Sequence, residues 1–581
     1  MNGLSLLFAR SYLAASWFEI PASSSAAGKQ WLLTYNHASH AVLLSMVGIV
    51  VVALLIKGQL SSPTPESAQR SWSQRLRAAA SKHSIVLVLF TGYAVAMVQG
   101  TTWFYPEFPD LYSTISNSNL LGHFNLQERF IAETMERNSF RFFPLAHQDL
   151  HLLSFMTPYV KVWMLVSAAE LFTTIVLSWH VVRSMVHHTT NASPSSNIQA
   201  PTKDGLLLLI SLLFLFHPAT GWGFFQLVYS ERLLTFLFAG FIFFYWRFQE
   251  FGQRRDAYHC LICSLIGIYV KDIGVVLFVT PAIVTLLSTP RVNQANSRRF
   301  PLERWLCGLI PLVVVSYVIL SLIPSLYAQN PPFDSHGRFS LEADWRFIAL
   351  LLFSSIRGLN IARGRLQPSL IDGLNLAALG YAAALFVSVG YPFSSFWTLP
   401  VQLVTVMDLA IIWSRWIAPW LSRWLRPMAS SALVIPALGA ATCGALIGLE
   451  HQAGKSFSKR VTAIQSSQQQ WVRTYDRIDQ LTRQSKQRGE TVNVIFMRSY
   501  FNANTLQHLK VDRLIEYDRK RLKYKVVEGI GRGQTYRPIK GDFLLIIDKR
   551  QRSDLGQDGE SFKAIFHHGT SRRGGRIFRY L

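Results

Sequence analysis

Long apolar runs recur along the first 450 residues of this sequence, each about 15–25 residues long, and short basic loops separate them. A helix needs about 20 apolar residues to cross a hydrocarbon core about 30 Å thick. The composition agrees, because 50% of the 581 residues are hydrophobic and only 15% are charged. The pattern predicts a many-spanning membrane protein. It excludes a secreted disulfide scaffold, a fibrous protein and a disordered chain.

The apolar runs predict about twelve membrane-spanning helices, within a range of about ten to thirteen. Met1–Ile20 is only weakly apolar and lacks a clear cleavage site, so it fits an interfacial or weakly spanning helix rather than a signal peptide. The predicted spans are Trp31–Ile56, Ser84–Thr101, Pro158–Val182, Gly205–Phe216, Leu233–Trp246, Cys260–Val270, Ile273–Ser288, Trp305–Leu326, Phe347–Ser355, Gly373–Gly390, Ser395–Trp413 and Ser431–Leu449.

Lysine and arginine divide the loops between these spans into two sets. One set of alternate loops holds 20 basic residues and the other holds 7, so the first set is predicted to be cytoplasmic. The basic loops are Lys57–His83, Arg183–Asp204, Arg247–His259, Pro290–Arg304, Arg357–Asp372 and Ser414–Met428. The outward loops are then Thr102–Thr157, His217–Arg232, Lys271–Asp272, Gln329–Arg346 and Tyr391–Ser394.

The sequence predicts two domains, a transmembrane domain over 1–450 and a basic soluble domain over 451–581. The tail holds 27 Lys and Arg against 12 Asp and Glu, which is +15 of the chain's net +24 and leaves +9 elsewhere. A polar helix over Ser456–Gln487, a helix near Thr505–Arg521, and strands over Val492–Met497 and Asp542–Asp548 predict a small α/β fold. Span parity places this tail in the periplasm, where its charge favours anionic headgroups or glycans over nucleic acid.

The four cysteines all lie in or beside apolar segments. They are predicted to be small buried hydrophobes rather than disulfide partners. The Cys260 and Cys263 pair has no second pair in an aqueous loop, so no zinc site is predicted there.

The long outward loop Thr102–Thr157 is the first candidate for a site. It begins with an aromatic and acidic run at Trp103–Asp110 and ends at Asn138–Leu150, next to the following span. Its carboxylates near the lipid boundary are Glu107, Asp110 and Asp149. Partial desolvation there favours the neutral acid and so makes a usable general base, although a carboxylate that only caps a turn fits the same pattern.

A second candidate cluster comes from two other outward segments. Tyr229, Glu231 and Arg232 stand immediately before a span, and the dipeptide Lys271-Asp272 interrupts an apolar stretch. Ionisable residues at this depth usually pair with each other or line a pathway. Lys271 and Arg232 therefore fit a lipid-linked phosphate. A satisfied turn at Lys271-Asp272 and a pair between Arg232 and Glu231 fit the same pattern.

This layout resembles the polytopic C-type glycosyltransferases (the GT-C superfamily). The features that carry the resemblance are the long outward loop with an acid just after a span, Lys271-Asp272 in a mid-chain span, and the outer C-terminal domain. Arg141–Asp149 is also similar to segments of bacterial membrane proteins that glycosylate surface polysaccharides. The acidic loop here follows the second apolar run rather than the first, and Glu107–Asp110 contains no adjacent acidic pair.

The resemblance implies an all-α polytopic membrane fold in the inner (plasma) membrane and a polyprenyl-phosphate-linked sugar as donor. One carboxylate, with Asp110 the first choice before Glu107 and Asp149, would deprotonate a glycan or lipid acceptor. Lys271 and Arg232 would stabilise the phosphate leaving group. Further loop residues expected near the acceptor are Arg141, His147, Gln148, Tyr229 and Glu231. No cofactor is implied, no metal ligands are assigned, and a divalent metal stays open.

Three other functions fit parts of the sequence. A transporter or lipid flippase would need buried charges in several spans, and the strong spans contain only Glu170 and Asp408. A polysaccharide polymerase or ligase would also use lipid-linked glycans but would depend more on outward arginines than on an acid. A non-catalytic assembly subunit would use the tail as an interaction domain.

Overall fold

The computed structural model describes residues 21–61, 83–101, 138–157, 159–190, 202–227, 229–288, 301–329, 341–392, 395–424, 431–452, 456–497, 506, 509–519, 521–546, 552–568 and 575–581. The chain is mostly helical, at 73%, and a small sheet region lies near the C-terminal end.

The described part of the first 452 residues consists almost entirely of helices. In chain order they are α1 (Ala26–Leu60), α2 (Ser84–Gly100), α3 (Gln148–Met156), α4 (Val160–Thr190), α5 (Thr202–Leu215), α6 (Pro218–Phe224), α7 (Glu231–Phe251), α8 (Arg254–Val270), α9 (Val275–Ser288), α10 (Leu302–Cys307), α11 (Leu309–Tyr317), α12 (Ile323–Ala328), α13 (Trp345–Ala362), α14 (Leu370–Ser388), α15 (Leu399–Ile412), α16 (Ala418–Trp424) and α17 (Ser431–Gln452). Single π-helical turns at Val318–Leu322 and Trp413–Ile417 join α11 to α12 and α15 to α16.

Seven helical stretches among the described residues are long and apolar enough to cross a membrane. The bent pair α5 and α6, which meet at 73°, would make an eighth, and α2 and α9 are shorter apolar helices. The chain is thus a membrane protein. Each of the twelve predicted spans overlaps a described helix, but the count of about twelve spans stays a prediction.

The apolar surface of the outer helices is exposed. On α1, Val42, Ile49 and Val52 are exposed although they are aliphatic, and Ile85 and Val88 are exposed on α2. An exposed apolar helix surface of this extent indicates contact with lipid, because exposing the same surface to water would be unfavourable. The opposite faces of these helices carry the buried residues that join the common core.

Two described contacts at helix ends serve as reference points for the two faces of the helical domain. At one face the backbone N–H of Leu145 donates to the carbonyl of Tyr269 over 3.0 Å. At the other face, the Arg415 guanidinium donates to the Met185 carbonyl over 3.1 Å. We refer to the face that includes Leu145 as the site face. Its assignment to the periplasm stays a prediction.

The cysteines have the surroundings that the sequence predicts. Cys260 and Cys443 are buried, while Cys263 and Cys307 are half-buried, and all four thiols are free. They fill space in the helical core as small apolar side chains.

The tail consists of one long helix and a mixed sheet. Helix α18 (Phe457–Gln487) begins at the cap residue Ser456, close to the start of the predicted polar helix. Strands β1 (Leu341–Glu342) and β2 (Tyr391–Pro392) form a short parallel pair in the helical domain. The tail strands are β3 (Asn493–Met497), β4 (Arg513–Asp518), β5 (Lys523–Gly529), β6 (Thr535–Tyr536), β7 (Phe543–Ile546), β8 (Phe562–His568) and β9 (Gly575–Tyr580).

The tail sheet has the strand order β6-β5-β4-β3-β7-β9-β8, in which β3 is parallel to both of its neighbours. Alternate residues of the central strands face opposite sides. Val494 and Phe496 pack with Trp471 and Ile478 of α18, while Ile495 belongs to the core on the other side. The strands predicted near β3 and β7 are confirmed, apart from differences at their ends.

The helix predicted near Thr505–Arg521 is wrong over its second half. Arg513–Asp518 is the strand β4, which pairs with β3 in parallel register. Its mixed charged sequence does not alternate cleanly, because Leu514 and Ile515 are both buried on opposite faces of the sheet. Burial on both faces removes the period that a half-buried strand would show.

Candidate functional site

The end of the long loop is fixed against α8 and α12 at the site face. The Ser321 hydroxyl donates to the carbonyl of Arg141 over 2.9 Å, and the Phe140 N–H donates to the Ser325 hydroxyl over 2.9 Å. Three non-glycine residues here, Asn138, Phe140 and His147, have positive φ angles of 44°, 64° and 66°. Such backbone is costly for L-residues and is retained where surrounding contacts hold it.

Arg232 lies at the centre of the site and is only 2% exposed. Its guanidinium bonds to Asp149, in the first turn of α3, and to Glu170, in the middle of α4. Its Nε donates to the carbonyl of Leu227 over 3.3 Å. Two carboxylates and a carbonyl therefore fix this cation and tie α3, α4 and α7 together.

Lys271 follows α8 at the turn into α9. Its Nζ donates to Glu231 Oε1 over 2.7 Å, and the ammonium lies 6.0 Å from the centre of the Trp397 ring. The next residue, Asp272, lies 3.4 Å from Arg141 Nε and also caps its own turn through the N–H of Ile273. Lys271 is thus paired on one side and meets an aromatic face on the other.

These ion pairs form a cluster of three cations and four carboxylates, with a net charge of −1. We call it the site cluster: Arg141, Arg232, Lys271, Asp149, Glu170, Glu231 and Asp272. Because its charges nearly cancel, the site cluster is tolerated close to the hydrocarbon core, where an unpaired charge costs several kcal/mol.

Aromatic side chains line one edge of the site cluster. The Tyr229 ring stacks on Phe396 with centres 3.6 Å apart, and Trp222 lies edge-on to both. Trp222 Nε1 donates to the Tyr229 hydroxyl over 3.2 Å. Trp397 joins Phe396 at 5.5 Å. We call Trp222, Tyr229, Phe396 and Trp397 the aromatic wall. Phe396 is buried, whereas Trp222, Tyr229 and Trp397 are half-buried, and aromatic rings of this kind suit the C–H groups of a sugar or an isoprenoid chain.

The tail contributes one cation to this wall. Arg460, in the first turns of α18, lies with its guanidinium 4.0 Å from the centre of the Trp222 ring. Burial lowers the pKa of this half-buried guanidinium.

A second buried polar group, beneath the short β1–β2 pair, fixes helix positions. Arg346 is fully buried and bonds Glu450 through Nε at 2.7 Å and Nη2 at 3.1 Å. Its Nη1 donates to the carbonyl of Leu213 over 2.6 Å. At the bend between α5 and α6, the Ala219 N–H donates to His217 Nδ1 over 3.2 Å, while His217 Nε2 faces Asp344 at 3.6 Å.

The structure brings most of the described candidates together. Asp149, Arg232, Lys271, Glu231 and Arg141 belong to the site cluster. Tyr229 belongs to the aromatic wall, while His147 and Gln148 lie at the start of α3. Glu107 and Asp110 lie outside the described residues.

The pairing of Arg232 with Glu231 considered from the sequence is wrong, because Glu231 bonds Lys271. Lys271 and Asp272 do lie in a turn, in which Asp272 accepts from the Ile273 N–H, but the charge of Asp272 pairs with Arg141. The sequence prediction missed Glu170, Trp222, Phe396 and Arg460 as part of this region. Only Glu170 carried a signal, as an acid within an otherwise apolar span.

No protein-family model, curated protein or solved structure matches the chain. Among the residues that the structure describes, no group of three or more His, Cys, Asp or Glu side chains is arranged to hold a metal ion.

Proposed function

We propose that this protein is an integral membrane glycosyltransferase that takes a sugar from a polyprenyl-phosphate carrier at the outer face of the inner membrane. The observation that carries the proposal is the site cluster. Three segments far apart in sequence, at Arg141–Asp149, Tyr229–Arg232 and Lys271–Asp272, meet in one network of ion pairs beside an aromatic wall. Buried charges at a membrane face are expensive, so such convergence favours a functional site.

The proposed reaction is a displacement at the anomeric carbon with inversion. An acceptor hydroxyl oxygen attacks that carbon, and the bond from carbon to the phosphate oxygen breaks. The polyprenyl phosphate leaves with the bonding electron pair, and a carboxylate takes the hydroxyl proton. Asp149, Glu107 and Asp110 are the proposed bases, and the acceptor is a cell-surface glycan or lipid.

Lys271 is the proposed partner of the developing phosphate charge. Its side chain is 12% exposed and borders the aromatic wall, so one donor can reach a ligand while Glu231 holds another. Arg232 is 2% exposed and bonded to two carboxylates, which favours a positioning role over the direct phosphate contact that the sequence suggested.

The decisive experiment reconstitutes the purified chain in nanodiscs and measures sugar transfer from polyprenyl-phosphate sugars to membrane glycolipids. We expect Lys271→Ala to reduce donor use on the order of tenfold or more, as for loss of a charge-assisted hydrogen bond. Lys459→Gln, an exposed substitution on α18, is the charge-matched control.

The bases are tested separately with Asp149→Asn, Glu107→Gln and Asp110→Asn. At least one variant should insert and fold normally but lose transfer by about 100-fold or more. Full activity in all three variants would contradict the acid–base mechanism, and no transfer by the unmodified chain from any donor would contradict the function.

A flippase for the same lipid is the second candidate, favoured by the broken helix α5–α6 with His217 at its 73° bend. Movement of fluorescent polyprenyl phosphate across vesicles without sugar transfer would favour it over the transferase.

A further inference from the structure

The tail helix reaches into the edge of the proposed site. Ser456 caps the start of α18 by accepting from the Lys459 N–H over 3.3 Å. Phe457 packs against Tyr93, Phe216 and Phe225 with ring centres 5.4–5.9 Å apart. These contacts fix the backbone that carries Arg460.

Arg460 differs from the cations of the site cluster. Arg141, Arg232 and Lys271 each pair with a carboxylate, whereas within the described ranges no carboxylate pairs with Arg460. Its guanidinium lies over the Trp222 ring, 4.0 Å from the ring centre, and Trp222 in turn donates to the Tyr229 hydroxyl. A half-buried guanidinium without a counter-ion is unfavourable unless an anion completes it.

The aromatic wall connects this guanidinium to Lys271. Arg460 contacts the wall at Trp222, and Lys271 approaches it at Trp397. Phe396 lies between these two indoles, at 5.2 Å from Trp222 and 5.5 Å from Trp397. One apolar surface is therefore bounded by a cation at either end.

We propose that Arg460, supplied by the tail, forms a second binding site for the phosphate group of the polyprenyl carrier, at the opposite end of the aromatic wall from Lys271, while the wall holds the adjoining isoprenoid. This inference rests on the proposed function and adds the tail to its donor site. A planar guanidinium binds two phosphate oxygens at once, which an ammonium does not. The tail would then be part of the donor site and not only a covering domain.

The test measures binding without catalysis, with fluorescent polyprenyl monophosphate and the full chain in nanodiscs of neutral lipid. We expect Arg460→Gln to weaken binding on the order of tenfold or more, and Lys459→Gln to leave it unchanged. Arg460→Lys should recover only part of the affinity, because it restores charge without the planar fork. Sugar transfer by each variant is measured in parallel.

Equal binding by Arg460→Gln and the unmodified chain would overturn the role of Arg460 while leaving the glycosyltransferase proposal intact. If dephosphorylated polyprenol bound as tightly as polyprenyl monophosphate, no anion would be recognised, and the role of Arg460 would again be overturned. If phosphatidylglycerol displaced the fluorescent probe as efficiently as unlabelled polyprenyl phosphate does, the Arg460 guanidinium would be assigned to bulk anionic lipid instead. Weaker binding by Arg460→Gln, together with an unchanged Tm that shows normal folding, would support the proposal.

Discussion

Adjacent charged residues in this protein serve different partners, because neighbours along a helix point in different directions. Glu231 and Arg232 begin α7 side by side, yet one reaches Lys271 and the other reaches Asp149 and Glu170. The result is a network that joins several helices, instead of isolated pairs within one turn. Such a network specifies how α3, α4 and α7 fit together.

Removing the central cation should destabilise the fold. Arg232→Gln would leave Asp149 and Glu170 facing each other without compensation, at a cost of about 3–5 kcal/mol in the free energy of unfolding. Thermal unfolding in detergent should show a Tm lower by several degrees. Arg141→Gln is the control, because its pair with Asp272 is longer, at 3.4 Å, and more exposed, and should cost less than about 1 kcal/mol. Equal shifts in the two variants would contradict the central role of Arg232.

Asp512 should make tail stability depend on acid pH. Its bonds from Lys486 and from the Val492 N–H, the latter at 2.8 Å, lower the pKa of its carboxyl. Because the folded pKa is below the unfolded one, the stabilisation is complete above about pH 4 and is lost as the pH falls further. Hydrogen exchange of β3, corrected for its intrinsic pH dependence, should show this loss in the unmodified chain and not in Asp512→Asn.

Asp542 should change the pH dependence of tail stability in the opposite direction to Asp512, and so serves as the comparison. Burial raises the pKa of its carboxyl, although Asn493, Tyr536 and the Ile539 N–H all donate to it. A raised acid pKa favours the folded state at low pH and weakens it as the pH rises through that value. Asp542→Asn should therefore change the pH slope in the direction opposite to Asp512→Asn, and slopes of the same sign would contradict both assignments.

At the scale of elements, α18 joins two separate cores. Val461 and Ile464 in its first turns belong to the core of the helical domain. Trp471 and Ile478, further along, belong to the core of the tail sheet. A continuous helix shared by both cores fixes the tail against the site face more firmly than a loop would, because bending it would break backbone hydrogen bonds.

This docking depends on close packing at Gly221 of α6. A Cβ added there would lie 2.8 Å from the Phe457 ring and 3.1 Å from Val461. We expect Gly221→Val to displace the first turns of α18 and to raise hydrogen exchange over Phe457–Gln465 without unfolding the sheet. Gly92→Val is the matched control, because no atom lies within 4 Å of a Cβ at that position. Unchanged exchange in Gly221→Val would mean that α18 does not depend on this contact.

At the scale of the whole molecule, the described contacts at the helix ends fall into two groups. The site cluster, the aromatic wall and the root of the tail all share one face. The turns near Arg357 and Asp372 and near Arg415 and Met185 lie at the other. The excess of lysine and arginine in the second group predicts that it faces the cytoplasm.

Cysteine labelling checks this orientation in a background from which the four native cysteines have been removed. Gln253→Cys and Arg363→Cys, in exposed turns of the basic group, should react only after the membrane is permeabilised. Lys459→Cys and Arg532→Cys, exposed on the tail, should react with an impermeant reagent from outside. The reverse pattern would place the site face in the cytosol and would contradict the use of an outward-facing lipid donor.

The sequence alone determined the membrane class, the helical position of the twelve predicted apolar runs and the polar helix α18, because hydrophobic length and period are local properties. Tertiary structure decided which charges pair, since the partners of Arg232 lie 83 and 62 residues away and only helix packing brings them together. It also decided that Arg513–Asp518 is a strand, because this segment pairs with β3 and its two faces pack into separate cores, which hides its period. Tertiary structure likewise placed Arg460 at the site, because the sequence of a polar helix does not indicate which aromatic surface its first turns contact.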